Sequence, residues 1–91
     1  MPDKVHCAHI LVKTEQEAKN VLERLAKGEK FSNIAQQASL CPSGKRGGDL
    51  GTFTGGKMVK EFEIVSFSLQ KGQISTVVKT KFGYHVIKRL E

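Results

Sequence analysis

Four of the eleven residues in the run Cys41-Pro-Ser-Gly-Lys-Arg-Gly-Gly-Asp-Leu-Gly51 are glycine. Glycine takes turns that a side chain forbids, so this run can double back sharply where other sequences cannot. It lies between two apolar, strand-like segments, each with a histidine embedded in it, His9 and His85. A loop that carries Cys41 back towards two imidazoles on neighbouring strands makes a small domain built around a Cys/His/His centre.

With 91 residues the chain can bury one core but no second substrate lobe, so a single domain over residues 1–91 is expected, with any active site as a surface groove. A hydrophobic fraction of 38% and a mean hydropathy of −0.31 are ordinary for a soluble protein, and no repeat or Pro/Ser-rich linker interrupts the chain. The polar start Met1-Pro2-Asp3-Lys4, followed by an apolar stretch broken at His6 and His9, has no signal-peptide core. No run approaches the ~20 apolar residues needed to span a bilayer. A soluble cytoplasmic protein is the expectation, with Cys7 and Cys41, which fit neither a C-x2-C metal spacing nor a disulfide scaffold, as reduced thiols.

Fifteen Lys and Arg against nine Asp and Glu leave a net charge of +6. Clustered basic residues would point to nucleic acid or an anionic membrane. Here they are spread along the chain without the aromatic interleaving of a single-strand binder. The charge is read first as a solubility feature and second as weak electrostatic contact with anionic surfaces (membrane or nucleic acid), with no specific nucleic-acid partner.

Val5 to Val12 reads as a strand apolar on both faces, with Val5, Cys7, His9 and Leu11 on one and Ala8, Ile10 and Val12 on the other, which suits a central strand. Thr14-Glu15-Gln16-Glu17 is a capping box that opens a helix carrying Ala18, Val21, Leu22, Leu25 and Ala26 at helical spacing and ending at Gly28. Glu15/Lys19 and Glu23/Lys27 fall at i,i+4 on its exposed side. Phe31, Ile34, Ala35 and Ala38 predict a second helix over about Ser32 to Ser39, ending before Cys41-Pro42. Thr52-Phe53-Thr54 is a minimal strand, Met58, Phe62, Val65 and Leu69 trace one helix face, and Ile74 to Leu90 reads as a hairpin broken at Lys81-Phe82-Gly83. The sum is an α+β domain with a mixed or antiparallel sheet faced by helices on both sides. If the first and last strands are adjacent, His9 and His85 become neighbours. Asp49 is expected to brace the glycine loop through backbone hydrogen bonds, Cys7 to be a buried strand thiol and His6 a half-exposed ring.

His9-Ile-Leu-Val-Lys13, the run from Cys41 to Gly51, Met58 with Phe62, Phe67-Ser-Leu69 and Phe82-Gly-Tyr-His-Val-Ile-Lys88 together resemble the parvulins, small peptidyl-prolyl cis/trans isomerases, over about residues 5 to 90. The resemblance implies an FKBP-like four-stranded antiparallel sheet surrounded by four short helices, with a shallow groove for an X-Pro peptide. It places the family's central histidines on His9 and His85, its active-site thiol on Cys41 and its sheet threonine on Thr80. Its proline pocket falls on Leu50, Met58 and Phe62, with Phe82 at the rim. A rotamase (PPIase) and folding chaperone acting as a monomer on proline-containing polypeptides, with no metal and no cofactor, is what the family implies. Phosphate-directed members carry a basic loop between the first strand and first helix; here Lys13 leads directly into Thr14-Glu15-Gln16-Glu17. The resemblance then implies an apolar residue before proline in preference to a phosphorylated one, as in the short prokaryotic members.

The chemistry leaves alternatives at Cys41. A thiolate adding to the imide carbonyl would abolish amide resonance but needs an activating base. A thiol that tunes the polarity around the carbonyl, or one that is simply a small buried residue, needs none. For His9 and His85 a structural hydrogen-bonded pair and a catalytic pair are compatible. Zinc held by Cys41, His9 and His85 lacks a fourth ligand, and a cysteine protease lacks a cleft between lobes. Two rivals from other classes are a peptide holdase and a basic nucleic-acid or lipid module.

Overall fold

The structure, a computed structural model, describes residues 4–91, so the polar start Met1-Pro2-Asp3 lies outside it. Strand β1 (Lys4–Val12) is followed by α1 (Glu15–Ala26), α2 (Phe31–Ala38), a 3-10 turn (Pro42–Arg46), β2 (Asp49–Thr54), α3 (Lys60–Ser68), β3 (Val78–Thr80) and β4 (Gly83–Arg89). The strands form one sheet in the order β2-β1-β4-β3, with every pair antiparallel. Three α-helices and the 3-10 turn account for the four short helices that were expected, the fourth being the first half of the glycine run.

The central strand β1 buries both faces. Ala8, Ile10 and Val12 pack under α1 and α2 with Val21, Phe31, Ile34 and Val86. Val5 and Cys7 pack on the other face with Phe53, Phe62, Leu69 and Ile87, under α3. At ~25 cal/mol per Å² of apolar area buried, these two layers are the main favourable term in the fold.

Local chemistry sets the element ends. Thr14 caps α1 by accepting from the Glu17 N–H at 3.2 Å, and its hydroxyl donates to Glu17 Oε1 at 3.0 Å. Of the two i,i+4 pairs only Glu23–Lys27 closes, at 3.4 Å; Glu15 and Lys19 stay apart, because an exposed pair scarcely repays the side-chain freedom it loses. Helix α2 starts at Phe31, one residue early.

Three boundaries differ more. β2 begins at Asp49 rather than Thr52, since Ala8 pairs with Asp49 across a register shift between His6 and Ala8. α3 begins at Lys60, leaving Met58 in the preceding turn. The hairpin arm expected from Ile74 is a strand only over Val78–Thr80, because the Ser75 hydroxyl, not a backbone carbonyl, accepts the Ile87 N–H at 2.9 Å and interrupts the ladder.

Candidate active site

Antiparallel pairing of β1 with β4 sets Leu11 opposite His85 and His9 opposite Ile87, so the two histidines lie diagonally on one face. Their rings stack with centroids 5.1 Å apart, and the two Nδ1 atoms lie 3.0 Å from each other. Thr80, at the end of β3, reaches His85 Nε2 with its hydroxyl at 2.7 Å and accepts the Phe82 N–H at 3.2 Å. A hydroxyl has one hydrogen to give. With Thr80 donating to His85 Nε2, His85 Nδ1–H donates to His9 Nδ1. His9 then carries its proton on Nε2, a buried atom with no hydrogen-bond partner among the described residues.

Burial makes both rings poor bases. It pushes His9 down to about 4, with repulsion from a charged His85 adding to the effect, and it lowers His85 as well. Both are neutral at pH 7, which satisfies the need of a direct Nδ1–Nδ1 contact for at least one ring without a proton on Nδ1. Phe62 stands edge-on to the pair, 5.4 Å from His9 and 5.3 Å from His85 between centroids.

The glycine run delivers Cys41 by closing on β1 at both ends. The Gly48 carbonyl accepts the His9 N–H at 2.9 Å, and Gly48 itself has φ +85°. A Cβ there would run into the His9 carbonyl, so no other residue allows this approach. At the other end the Leu40 N–H donates to the Leu11 carbonyl at 2.7 Å, while Ser39 Oγ accepts both the Leu11 N–H at 3.1 Å and the Cys41 N–H at 3.3 Å. Cys41 is half-buried, and its Sγ accepts from Ser43 Oγ at 3.2 Å. No hydrogen bond joins it to either histidine.

Above this floor opens a groove of about 360 Å³, lined almost wholly by apolar side chains. Leu50, Met58, Phe62 and Phe82 all line it, as do His9, Cys41 and His85; Thr80 stands behind His85 and does not. Leu40 and Phe82 are exposed by 62% and 61% at its edge, two large apolar side chains left open to solvent. Three of the four ring nitrogens are already partnered, and no group of three or more His, Cys, Asp or Glu converges to hold a metal among the described residues.

Two expectations outside the groove gain partners. Asp49 braces the loop by accepting the Gly51 N–H at 2.7 Å, and the same oxygen lies 2.7 Å from His6 Nε2. These contacts hold its carboxyl below the usual range, the Gly51 bond foremost. Cys7 is fully buried beside Ser66, and burial raises its thiol pKa. Ser39, Leu40 and Ser43 were not singled out in the sequence. A serine just past a helix end is a backbone-bonding residue by type, and Ser39 carried that signal alone.

Residues 9–91 match the family described as "Rotamase: PPIC-type PPIASE domain". The foldase protein PrsA of Geobacillus kaustophilus is 52% identical over 86 residues, covering 93% of this chain and 31% of its own length. The chain thus spans about a third of the curated relatives of that name. Two free-standing solved structures match end to end. Pin from the psychrophilic archaeon Cenarcheaum symbiosum is 55% identical with a TM-score of 0.86, covering 100% of this chain and 95% of that one. The parvuline of Nitrosopumilus maritimus is 46% identical with a TM-score of 0.89, covering 100% and 99%.

Proposed function

Since the chain belongs to the PPIC-type PPIase, or parvulin, family of peptidyl-prolyl cis/trans isomerases, we propose that its groove turns over X-Pro bonds in unfolded or flexible polypeptides without covalent chemistry, as one catalytic domain over residues 1–91 that assists folding. The observation that carries the non-covalent reading is that no hydrogen bond joins Cys41 to the histidine pair, its Sγ accepting instead from Ser43. Three of the four ring nitrogens are committed to each other and to Thr80, and burial leaves both rings poor bases.

Amide resonance sets the barrier to rotation at roughly 18 to 20 kcal/mol. The planar imide is zwitterionic and the twisted one is not, so a dry pocket of Leu50, Met58 and Phe62 around the pyrrolidine raises the ground state relative to the transition state. An acceleration of about 10^5 needs only about 7 kcal/mol at 1.36 kcal/mol per decade. In this reading Cys41 lines the floor as a polar contact for the carbonyl, and Thr80 orients His85 and holds Phe82 at the rim.

The residue before proline falls among Leu40, Leu11 and Phe82, apolar side chains that favour an apolar X over a phosphorylated one. Beyond Leu40 and Phe82, only Ile64 is an exposed large apolar residue among the described residues, which supports a monomer. Two free thiols, one of them in the groove, suit a reducing compartment such as the cytoplasm. NMR exchange spectroscopy on three peptides that differ only in X tests the preference. Leu-Pro is expected to exchange fastest, Glu-Pro less and phosphoserine-Pro least; the reverse order overturns it.

A further inference from the structure

On the reverse face of the sheet, where Ala8 points away from the groove, a second and larger cavity of about 490 Å³ opens between the end of α1, the start of α2 and the end of β4. Its floor is apolar, with Ala8 and Phe31 buried and Leu25, Ile74 and Leu90 half-buried. Its rim is ionic, with Lys30, Arg46 and Lys88 beside Glu29 and Asp49. Both acids are already engaged. Glu29 Oε1 accepts from Arg24 Nη2 at 2.7 Å and Arg24 Nε at 3.0 Å. Asp49 Oδ1 takes Gly51 N–H and His6 Nε2, each at 2.7 Å.

The cations are not engaged. Arg46 lies near enough to Asp49 to help hold its carboxyl down but forms no ion pair with it, and Lys30 and Lys88 have no acidic partner among the described residues. Lys88 is half-buried, the least exposed of the three.

We propose that this cleft is a docking site for an acidic polypeptide segment in which Glu or Asp alternates with Leu, Ile or Val. Carboxylates pair with the free cations of the rim, and the side chains between them reach the apolar floor. Charge complementarity selects such a segment over other anions. A broad bilayer surface cannot follow single side chains into the cleft, where Leu25, Ile74 and Leu90 are the open part of the floor and Phe31 is only 6% exposed. The same burial of Phe31 leaves no open ring in the cleft for a nucleic-acid base to stack on. The site is independent of the isomerase reading, and a segment docked there leaves the groove on the other face free.

The test is an NMR titration of the 15N-labelled chain with an acetylated, proline-free peptide of alternating Glu and Leu. A Gln/Leu peptide, oligothymidine and vesicles of phosphatidylglycerol with phosphatidylcholine run in parallel. Saturable shifts at the amides of Ala8, Gly28, Ser32, Gly47 and Lys88 are expected with the Glu/Leu peptide, about tenfold weaker binding with Gln/Leu, and weakening with salt. Lys88→Glu is expected to reduce affinity about tenfold with X-Pro exchange unchanged. Lys30→Glu, at an exposed site, repeats the test should the strand variant misfold. Shifts centred on Leu40 and Phe82, no saturation, or tighter binding of oligothymidine or vesicles to the same amides would overturn the proposal.

Discussion

His9 and His85 meet Nδ1 to Nδ1 at 3.0 Å across two antiparallel strands, a contact that exists only while at least one ring is unprotonated. Burial lowers both rings, so at neutral pH the sheet carries an uncharged pair and the groove inherits a floor without charge.

The first prediction concerns pH. His9 is lowered from 6.5 to about 4, so in that window the unfolded chain binds a proton that the folded chain refuses. Stability is full above the unfolded value and falls as pH drops through the window; the depression of His9 alone corresponds to about 3 kcal/mol. His85, lowered by burial, adds in the same direction. Urea unfolding at pH 7.5, 5.5 and 4.2 checks this, and a flat profile contradicts it.

Cys41 should be replaceable. Because no base stands within hydrogen-bond reach, Cys41→Ser is expected to keep kcat/KM within about tenfold of the parent, a difference of about 1.4 kcal/mol. Loss of three or more decades in a folded variant would return the thiol to a nucleophilic role.

Ser39 acts through Cys41. Its Oγ alone accepts the Leu11 and Cys41 N–H groups, so Ser39→Ala leaves two donors unpaired and should destabilise the chain by about 1 to 3 kcal/mol. In a double-mutant cycle with Cys41→Ser the kcat/KM effects should fall short of additive, whereas Ser39→Thr should restore the rate. Full additivity would reduce Ser39 to a structural role.

Met58 and Phe62 separate pocket from core. Phe62 is 3% exposed and belongs to the layer under α3, so Phe62→Ala should cost about 3 to 5 kcal/mol of stability as well as activity. Met58 sits in the turn before α3 and is half-buried, so Met58→Ala should leave the unfolding midpoint nearly in place and lower kcat/KM about tenfold or more. Equal stability losses for the two would contradict this division.

Much of this architecture was legible because it rests on periodicity. The two-faced apolar pattern of Val5 to Val12 marks a central strand, and the Thr14 cap is a local signal with a local cause. The His9–His85 meeting needed one further assumption, that the first and last strands are neighbours, and the register supplies it. What stayed hidden depends on single contacts across the chain. Nothing near Ser75 announces that its hydroxyl will replace a carbonyl opposite Ile87, and nothing in Gly48 alone reveals that it must touch the His9 carbonyl. The groove residues Leu50, Met58, Phe62 and Phe82 were named through resemblance, since helical spacing alone would have placed Met58 and Phe62 in the core. The cavity behind the sheet left no motif, because its walls come from five separate segments.

The measurement that bears most directly on the account is two-dimensional exchange spectroscopy on a short Leu-Pro peptide with a catalytic quantity of the chain, beside the same peptide with Met58→Ala. The account predicts cis/trans exchange far faster than the spontaneous tens to hundreds of seconds with the parent chain, and markedly slower exchange with the folded variant. No acceleration by the parent chain, with the peptide still shifting the groove resonances of Leu40 and Phe82, would contradict it and leave a binding groove without turnover.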